Sequence, residues 1–370
     1  MHLFLPDDNE GFSSRSYYLS RNIQFLGYIY EYEDYSIETV ENKPIYYYFL
    51  KIREAVIKKF DEVFPGELSS FASGILLGQK SSLSSQIKDN FRDIGIYHLL
   101  AVSGLHLSVI LNSFMALLLF LKVRKKHVLI LNCILALTFM AITGFTPSIT
   151  RAGIMHLIYF TGLIFLKRAD SLNSLGIAIC ALTFINPFSA GDVGLLLSVY
   201  STLGITLFSS KINAFLENKL SYKGRFKKQI SSVVSLSSVT IAATLLTTPI
   251  IILSFKRVSL ISVLANVLIV PISSLMLVFI LITAALSFWG IINFICMPVA
   301  FISSILMKIV IFATGLLVKI PFAAVSTTEN VILIWLASTL ILVALALLLY
   351  KDLSFIKITS LLSCIVLLVG

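Results

Sequence analysis

Charged side chains are scarce in this sequence. Asp, Glu, Lys and Arg make up 13% of the 370 residues, whereas hydrophobic residues make up 57%. A soluble domain of this length does not need so much apolar surface, but a bilayer does, because each spanning helix takes about 20 apolar residues. The apolar runs are long and do not alternate with polar residues, which excludes a membrane β-barrel. The sequence therefore predicts an all-α, polytopic transmembrane helical bundle.

Acidic residues are especially few after position 93. Residues 1–93 contain 10 Lys and Arg against 14 Asp and Glu, a balance of −4, whereas residues 94–370 contain 19 against 5, a balance of +14. Cytoplasmic loops of membrane proteins collect Lys and Arg, which is one explanation. A path for a polyanion is another, because basic side chains attract phosphates. The charge count alone is compatible with both.

Motifs for metal, nucleotide and hydrolytic chemistry are also missing. The five histidines form no ligand cluster, and the chain has no P-loop, no G-x-G-x-x-G and no G-x-S-x-G turn. Single cysteines in apolar runs are typical of buried side chains rather than of disulfides or metal ligands. They are Cys133, Cys180, Cys296 and Cys364. We therefore predict no catalytic residue, metal or cofactor, and any transport would need an outside motor or gradient.

The sequence divides into three regions. Residues 1–44 are polar, rich in Tyr and too short to bury their own core, so we expect a short extracytoplasmic stub. Residues 45–95 contain amphipathic helices that would lie at the headgroup level of the membrane. Residues 96–370 form the transmembrane domain, with about 9–10 spans. These are predicted at 96–121, 128–144, 148–166, 172–186, 191–208, 229–254, 259–287, 291–318, 330–350 and 354–370.

Loop charges predict the orientation of the spans. The basic loops 122–126, 167–168 and 211–228 should be cytoplasmic, which places residues 1–95 outside. Lys256 and Arg257 would then also face outward, against the rule. Either the sixth and seventh spans are re-entrant, or these two residues have an external role. Pro249 and Pro271 fall inside these two spans, so we expect broken or kinked helices there.

Polar residues interrupt the entry to the first span. His98 and His106 are eight positions apart and would lie on nearly the same face of one helix, with Ser103 on another part of it. Gly104 would let two helix backbones approach closely. These polar groups, with Arg92 just before them, could bond between helices or line a functional path. A hydrolase that uses Ser103 with a histidine is a third reading, although a nucleophile also needs oxyanion donors.

Three further polar residues lie at or inside later spans. Arg151 should sit near the external interface, where its side chain would extend to the headgroups. Asp192 is placed to cap the fifth span, and a pairing with Arg151 is the alternative. Asn266 and Pro271 together predict a kink with a hydrogen-bonded amide.

An ordered series of short motifs resembles a known family. Gly74-Ile75-Leu76-Leu77-Gly78, followed by the stretch from Phe91 to His106, resembles the core signature of the ComEC-type DNA internalisation competence family. Further matches follow in the family's order over about residues 66–320. They are Thr143 to Ser148 with Arg151-Ala152, Asn186-Pro187, Asp192-Val193-Gly194 with Ser198, Thr248-Pro249, Val258-Ser259-Leu260, and Ala265-Asn266 with Val270-Pro271. Leu195-Leu196 departs from the family, which tends to show an aromatic residue and a Gln there.

The resemblance implies a channel core that carries one DNA strand across the bacterial cytoplasmic membrane during natural transformation. Residues 1–44 would be the remnant of an external oligonucleotide-binding-like domain. Implied partners are single-stranded DNA, membrane lipid, a competence pilus or DNA receptor outside, a cytoplasmic ATP-driven motor, a separate nuclease, and a second copy in a homo-oligomer. Candidate path-lining residues are Arg92, His98, Ser103, His106, Arg151, Asp192 and Asn266, and structural positions are Gly78, Gly104, Pro187, Pro249 and Pro271. A transporter of another anion is the alternative, and a hydrolase a weaker one.

Overall fold

The protein folds as a helical bundle with two small β-ribbons. The computed structural model describes residues 2–4, 14–20, 23–28, 43–167, 169–220, 227–288, 293–321 and 323–326. At the N-terminus, β1 (His2–Phe4) pairs antiparallel with β2 (Leu26–Tyr28), and α1 (Ser14–Leu19) lies between them in sequence. Three helices then precede the bundle, namely α2 (Ile45–Val63), α3 (Glu67–Leu77) and α4 (Ser85–Asp93).

Eight long helices follow, and they match the first eight predicted spans. They are α5 (Gly104–Phe120), α6 (Lys125–Ile142), α7 (Pro147–Ile164), α8 (Ser171–Ile185), α9 (Val193–Leu220), α10 (Lys227–Phe255), α11 (Ser262–Ser287) and α12 (Asn293–Leu317). Helices α6, α9, α10, α11 and α12 are long and apolar enough to cross a membrane, and α5 and α8 are shorter apolar helices. The polytopic bundle is therefore confirmed. The predicted spans 330–350 and 354–370 lie outside the described residues.

Local sequence signals set several helix starts. The Asp170 carboxylate accepts hydrogen bonds from the backbone N–H groups of Leu172 and Asn173, at 3.0 and 2.9 Å, and so caps α8. Pro147 occupies the first position of α7, where its missing N–H has no intrahelical partner to lose. Both features reduce the number of unpaired backbone donors at the start of an apolar helix.

The helices before the bundle pack onto it. Almost all of α3 is buried, and the rings of Phe71 and Phe91 meet edge to face with centroids 5.9 Å apart. In α2, Phe60 and Phe64 point inward while its polar side chains remain exposed. Since α3 contacts both α11 and α12, it belongs to the core of the bundle, and α2 covers it with an amphipathic face.

The first span begins later than predicted. Tyr97–Leu99 form a single 3-10 turn, and α5 starts only at Gly104. Gly95 turns the chain with φ +75°, and a Cβ there would lie 2.8 Å from Cβ of Ser262, so only glycine fits. His98 and His106 therefore do not share a helix, and the prediction that they lie on one helix face was wrong.

An ion pair accounts for the outward-facing basic residues. Nη1 of Arg257 lies 2.6 Å from Oδ1 of Asp93 at the end of α4. Arg257 also begins β3 (Arg257–Ser259), which pairs antiparallel with β4 (Ala324–Ser326) beyond α12. The ends of α4, α10 and α12 thus meet at one face of the bundle. Helices α10 and α11 are each long and apolar enough to cross a membrane, which favours two crossing helices over re-entrant ones.

Helices α10 and α11 run without interruption through Pro249 and Pro271. The breaks that we considered at these prolines are not formed. A proline removes one backbone donor and leaves the rest of the helix ladder in place. Asn266 donates from Nδ2 to the carbonyl oxygen of Ser262 at 2.8 Å, so its amide is satisfied inside α11, as predicted.

Candidate functional site: a polar seam between three helices

Polar side chains from α5, α7 and α9 meet inside the otherwise apolar bundle. Ser148 and Ser198 join α7 to α9 through their hydroxyl oxygens, 3.2 Å apart. Ser108 and His156 join α5 to α7, with Oγ and Nε2 also 3.2 Å apart. We call this group the polar seam. Its members are Ser103, His106, Ser108, Ser148, Arg151, His156, Ser198 and Thr202.

Arg151 is the only charged member of the seam. Its residue is 6% exposed, and Nη1 donates to Oγ1 of Thr202 at 2.5 Å and contacts Sδ of Met155 at 3.7 Å. The Nε–H donor has no partner, and within the described residues no carboxylate lies within ion-pair distance. The guanidinium is enclosed by protein, so the expectation that it would extend to the headgroups was wrong. A buried charge without a counter-ion costs several kcal/mol, so this site favours an anion.

Gly104 brings α5 against Arg151. A Cβ at Gly104 would lie 3.1 Å from Cβ of Ala152 and 3.5 Å from Nη2 of Arg151. The predicted close helix approach is therefore confirmed. Because Gly104 opens α5, the free N–H groups of its first turn and the guanidinium lie in the same neighbourhood. Both carry positive charge density, which adds to the preference for an anion.

Ser103 and His106 are in direct contact, although we had placed them on different parts of one helix. Ser103 precedes α5, and its backbone N–H donates to Nδ1 of His106 at 3.1 Å, with Oγ 3.0 Å from the same nitrogen. Nδ1 is therefore an acceptor, and a neutral ring carries its proton on Nε2. This geometry resembles a helix cap. A hydrolytic dyad would also need an acid behind the histidine and oxyanion donors, and the described residues show no carboxylate bonded to His106.

Sequence reasoning did not single out Ser108, Thr202 or His156. His156 joins two helices of the seam. Its Nδ1 lies 2.8 Å from the carbonyl oxygen of Ala152, so Nδ1 donates and a neutral ring presents Nε2 as an acceptor to Ser108. The spacing of polar residues in α7 and α9 could have indicated a polar contact between these helices. Ser198 and Thr202 stand four apart in an apolar helix, a spacing that aligns hydroxyls on one face, and Ser148 and Arg151 are similarly close on α7.

Asp192 and Arg151 do not pair. Oδ1 of Asp192 accepts the backbone N–H of Leu195 at 2.8 Å, so Asp192 caps α9, as the first reading predicted. The alternative, an ion pair between Asp192 and Arg151, is wrong. Asp192 bonds to the start of α9, whereas Arg151 bonds to Thr202. Pro187 opens the short 3-10 helix Pro187–Gly191 just before this cap.

The other candidates lie near the start of α5. Arg92 is a surface residue that pairs with Asp89 at 3.0 Å and stacks over the Tyr97 ring, with Cζ 5.4 Å from the centroid. His98 is exposed on the next turn, and no hydrogen bond joins Arg92 or His98 to the seam in the described structure. Gly78 ends α3 at φ +75°, and a Cβ there would lie 2.9 Å from Cγ2 of Val102. It therefore supports the segment that carries Ser103.

An N-terminal segment reaches the loop that precedes α9. Asn186, buried at the end of α8, donates from Nδ2 to the carbonyl oxygens of Leu19 and Ser20, at 2.9 and 3.1 Å. Its Oδ1 accepts the backbone N–H of Phe188 at 3.0 Å. The end of α1 is thus bonded to the loop between α8 and α9.

Comparison with known proteins agrees with this architecture. No solved structure matches the chain. The chain is 24% identical over 242 residues to ComE operon protein 3 of Bacillus subtilis (strain 168), which covers 64% of this chain and 29% of that protein. It thus spans less than a third of the relative's length. The family model described as "Competence protein" matches residues 75–352. Because that match covers most of the chain, from α3 through the whole bundle, the chain belongs to the competence protein family.

Proposed function

We propose that this bundle passes single-stranded DNA across the bacterial cytoplasmic membrane during natural transformation, and that Arg151 contacts phosphates of the moving strand. The observation that carries the proposal is the buried guanidinium of Arg151, which has an unpartnered Nε–H and no carboxylate beside it. Family membership and the resemblance to ComE operon protein 3 support it. A separate nuclease and a cytoplasmic ATP-driven motor also belong to the proposal.

The chemistry of the seam suits a nucleic-acid backbone. Each nucleotide of a single strand presents one phosphate whatever its base, so a charged contact is independent of sequence. A guanidinium binds phosphate in a bidentate manner. The remaining seam groups are neutral hydroxyls and imidazoles, which can bond to phosphate or water without holding the strand in place. One strong contact among weak ones is what passage requires, since tight binding at every step would stop the strand.

The decisive experiment measures stability and uptake in the same variants. Arg151→Gln removes a buried charge that has no partner, so thermal stability of the purified full chain should stay equal or rise. DNA uptake into the nuclease-resistant fraction, in a strain where only this gene is replaced, should fall by about tenfold or more, the loss expected for one charged hydrogen bond. Arg151→Lys should recover part of the uptake because it keeps the charge.

Lys308→Gln is the matched control. Lys308 is a cation on the spanning helix α12, but its side chain is exposed on the outside of the bundle. Its replacement should leave uptake unchanged. Normal uptake in Arg151→Gln, or in the deletion strain, would overturn the proposal. A fall in stability that parallels the fall in uptake would show that Arg151 is structural.

A transporter of a smaller anion is a second candidate, because the buried guanidinium of Arg151 would also bind a carboxylate or free phosphate. Salt dependence separates the two. Affinity for a single strand falls by about 0.7 in log K per log salt for each phosphate contacted, so a longer oligothymidylate should give a steeper slope. A slope that stays constant with oligonucleotide length, together with saturable uptake of a small anion by reconstituted vesicles, would favour the transporter.

A further inference from the structure

A cavity lies between α4 and the end of α12, apart from the seam residues. Its volume is about 390 Å³. Seven residues line it, and none of them is acidic: Gln86, Asn90, Phe312, Gly315, Leu316, Val318 and Lys319. The α12 side supplies a mostly apolar wall, and the α4 side supplies two carboxamides. The cavity is therefore amphipathic.

The polar groups of this cavity are available for a ligand. Gln86 and Asn90 stand four apart on α4, so their side chains share a face. Within the described part of the chain, neither carboxamide forms a hydrogen bond, and Lys319 has no acidic partner. Two amide donors and one ammonium group thus converge without a counter-ion, which suits a phosphate group.

The apolar wall is exposed on the outside of the bundle. Phe312 is 68% exposed and Leu316 is 49% exposed, although both belong to a helix that is apolar and long enough to span. In a bilayer, such side chains lie against acyl chains. From Phe312 to the end of α12 at Leu317 the helix rises about 7 Å at 1.5 Å per residue, and Lys319 follows in the next turn, beyond the apolar contacts. This is the order of groups along a phospholipid, from acyl chain to headgroup.

The position of the cavity at one end of the bundle also favours a phospholipid. The α12 end meets α4 and lies at the face where Arg257 pairs with Asp93. If α12 crosses the bilayer, its end would put the Lys319 ammonium group at headgroup depth and Phe312 in the hydrocarbon. We propose that this cavity binds one anionic phospholipid, with the phosphate between Lys319 and the Gln86 and Asn90 carboxamides, and an acyl chain along Phe312 and Leu316.

Two glycines allow a clean test. A Cβ added at Gly315, which lines the cavity, meets nothing within 4 Å, and the same is true of Gly176 on α8. Gly315→Leu should fill the cavity without a clash, and Gly176→Leu is its matched control. Lys319→Gln removes the cation from an exposed position and does not depend on repacking.

The experiment titrates the purified full chain in maltoside detergent with dioleoylphosphatidylglycerol, and counts bound lipid by native mass spectrometry. We expect one saturable site, absent in Gly315→Leu and retained in Gly176→Leu. Lys319→Gln should weaken it about fivefold, as expected for one basic residue near an anionic surface. Dioleoylphosphatidylcholine, which has no net charge, should bind more weakly to the same site.

Four results would overturn the proposal. Equal lipid binding by the two leucine variants would place the lipid elsewhere. A loss of thermal stability in Gly315→Leu alone, before lipid is added, would mean that the protein itself fills the space. Displacement of the lipid by inorganic phosphate would indicate a free-anion site, and displacement by oligothymidylate would indicate a nucleic-acid site. The lipid titration does not depend on DNA passage, so its failure leaves the proposed function untouched.

Discussion

Nη1 of Arg257 lies 2.6 Å from Oδ1 of Asp93, although the two residues are 164 positions apart in the chain. The contact joins the end of α4 to the connection between α10 and α11, so it fixes which ends of the helices share a face. Lys256, just before it, takes the left-handed conformation at φ +51°, which turns the chain sharply out of α10. Arg257, one of the two basic residues that break the loop-charge rule, thus has an acidic partner on the same side.

This arrangement predicts which loops share a membrane face. In a chain whose native cysteines are replaced, single cysteines at Lys88 and Lys256 should react with a membrane-impermeant maleimide from the same side of intact cells. Cysteines at Lys125 and Lys228 should react only after the membrane is opened. Labelling of Lys256 and Lys125 from one side would contradict the eight-helix order.

The ion pair itself should contribute little to stability. Side-chain exposure is 45% for Arg257 and 21% for Asp93, so solvent screens the charges. We expect Asp93→Asn and Arg257→Gln each to lower the free energy of unfolding by about 0.5 to 1 kcal/mol. A double-mutant cycle measured by thermal unfolding in detergent should give a coupling of the same size, and it should shrink at high salt. Additive effects of the two changes would show that the contact is energetically silent.

Asp192 offers a direct test of its capping role. Asp192→Asn keeps an oxygen that can accept the Leu195 N–H, so it should preserve stability, whereas Asp192→Ala should cost about 1 kcal/mol. If Asp192 instead balanced the charge of Arg151, the neutral Asn would be as damaging as Ala. Thermal unfolding of the two variants distinguishes these outcomes.

Long apolar runs made the helices predictable, because each span depends on its own composition. Six of the eight described helices were placed within a few residues, whereas the start of α5 and the end of α9, which runs to Leu220, were not. That start was wrong because Gly95 and the turn at Tyr97–Leu99 depend on Ser259 and Ser262, which lie far away in the chain. The amino-acid composition near residue 96 does not indicate this packing. Asp170 and Asp192, by contrast, cap helices through local bonds, which sequence can indicate.

The site was predictable only in part. Arg151, Ser103 and His106 stood out because polar groups are rare in spanning helices. Their partners did not, because Thr202 and His156 become meaningful only when α7 is packed between α5 and α9. That the seven candidate residues line a DNA path stays a prediction, and Arg92 and His98 lie at the surface, apart from the buried seam.

Ser103 should not behave as a nucleophile. Its partner nitrogen, Nδ1 of His106, already accepts the Ser103 backbone N–H, so the imidazole supports the start of α5. We expect no labelling of the purified chain by a serine-reactive fluorophosphonate. Labelling that disappears in Ser103→Ala, but persists in Ser108→Ala, would instead establish an intramembrane hydrolase. Ser108 is the matched control because it also contacts a histidine, His156.

Gly204 should be the least replaceable glycine of the bundle. A Cβ there would lie 2.3 Å from the backbone carbonyl oxygen of Ala242, so α9 and α10 touch at this point through their backbones. Since a carbonyl cannot turn aside like a flexible side chain, Gly204→Ala must push the two helices apart, at a cost of about 1 to 3 kcal/mol.

Gly176→Ala is the control for that change. Gly176 has open space around an added Cβ, so alanine there should be neutral or stabilise α8 by up to about 1 kcal/mol through helix propensity. Thermal unfolding of the two variants in the same detergent compares them directly. Because Thr202, the partner of Arg151, lies two residues before Gly204 on α9, the Gly204→Ala shift should also reduce DNA uptake. Equal stability of the two alanine variants would show that α9 and α10 are less closely packed than the structure has them.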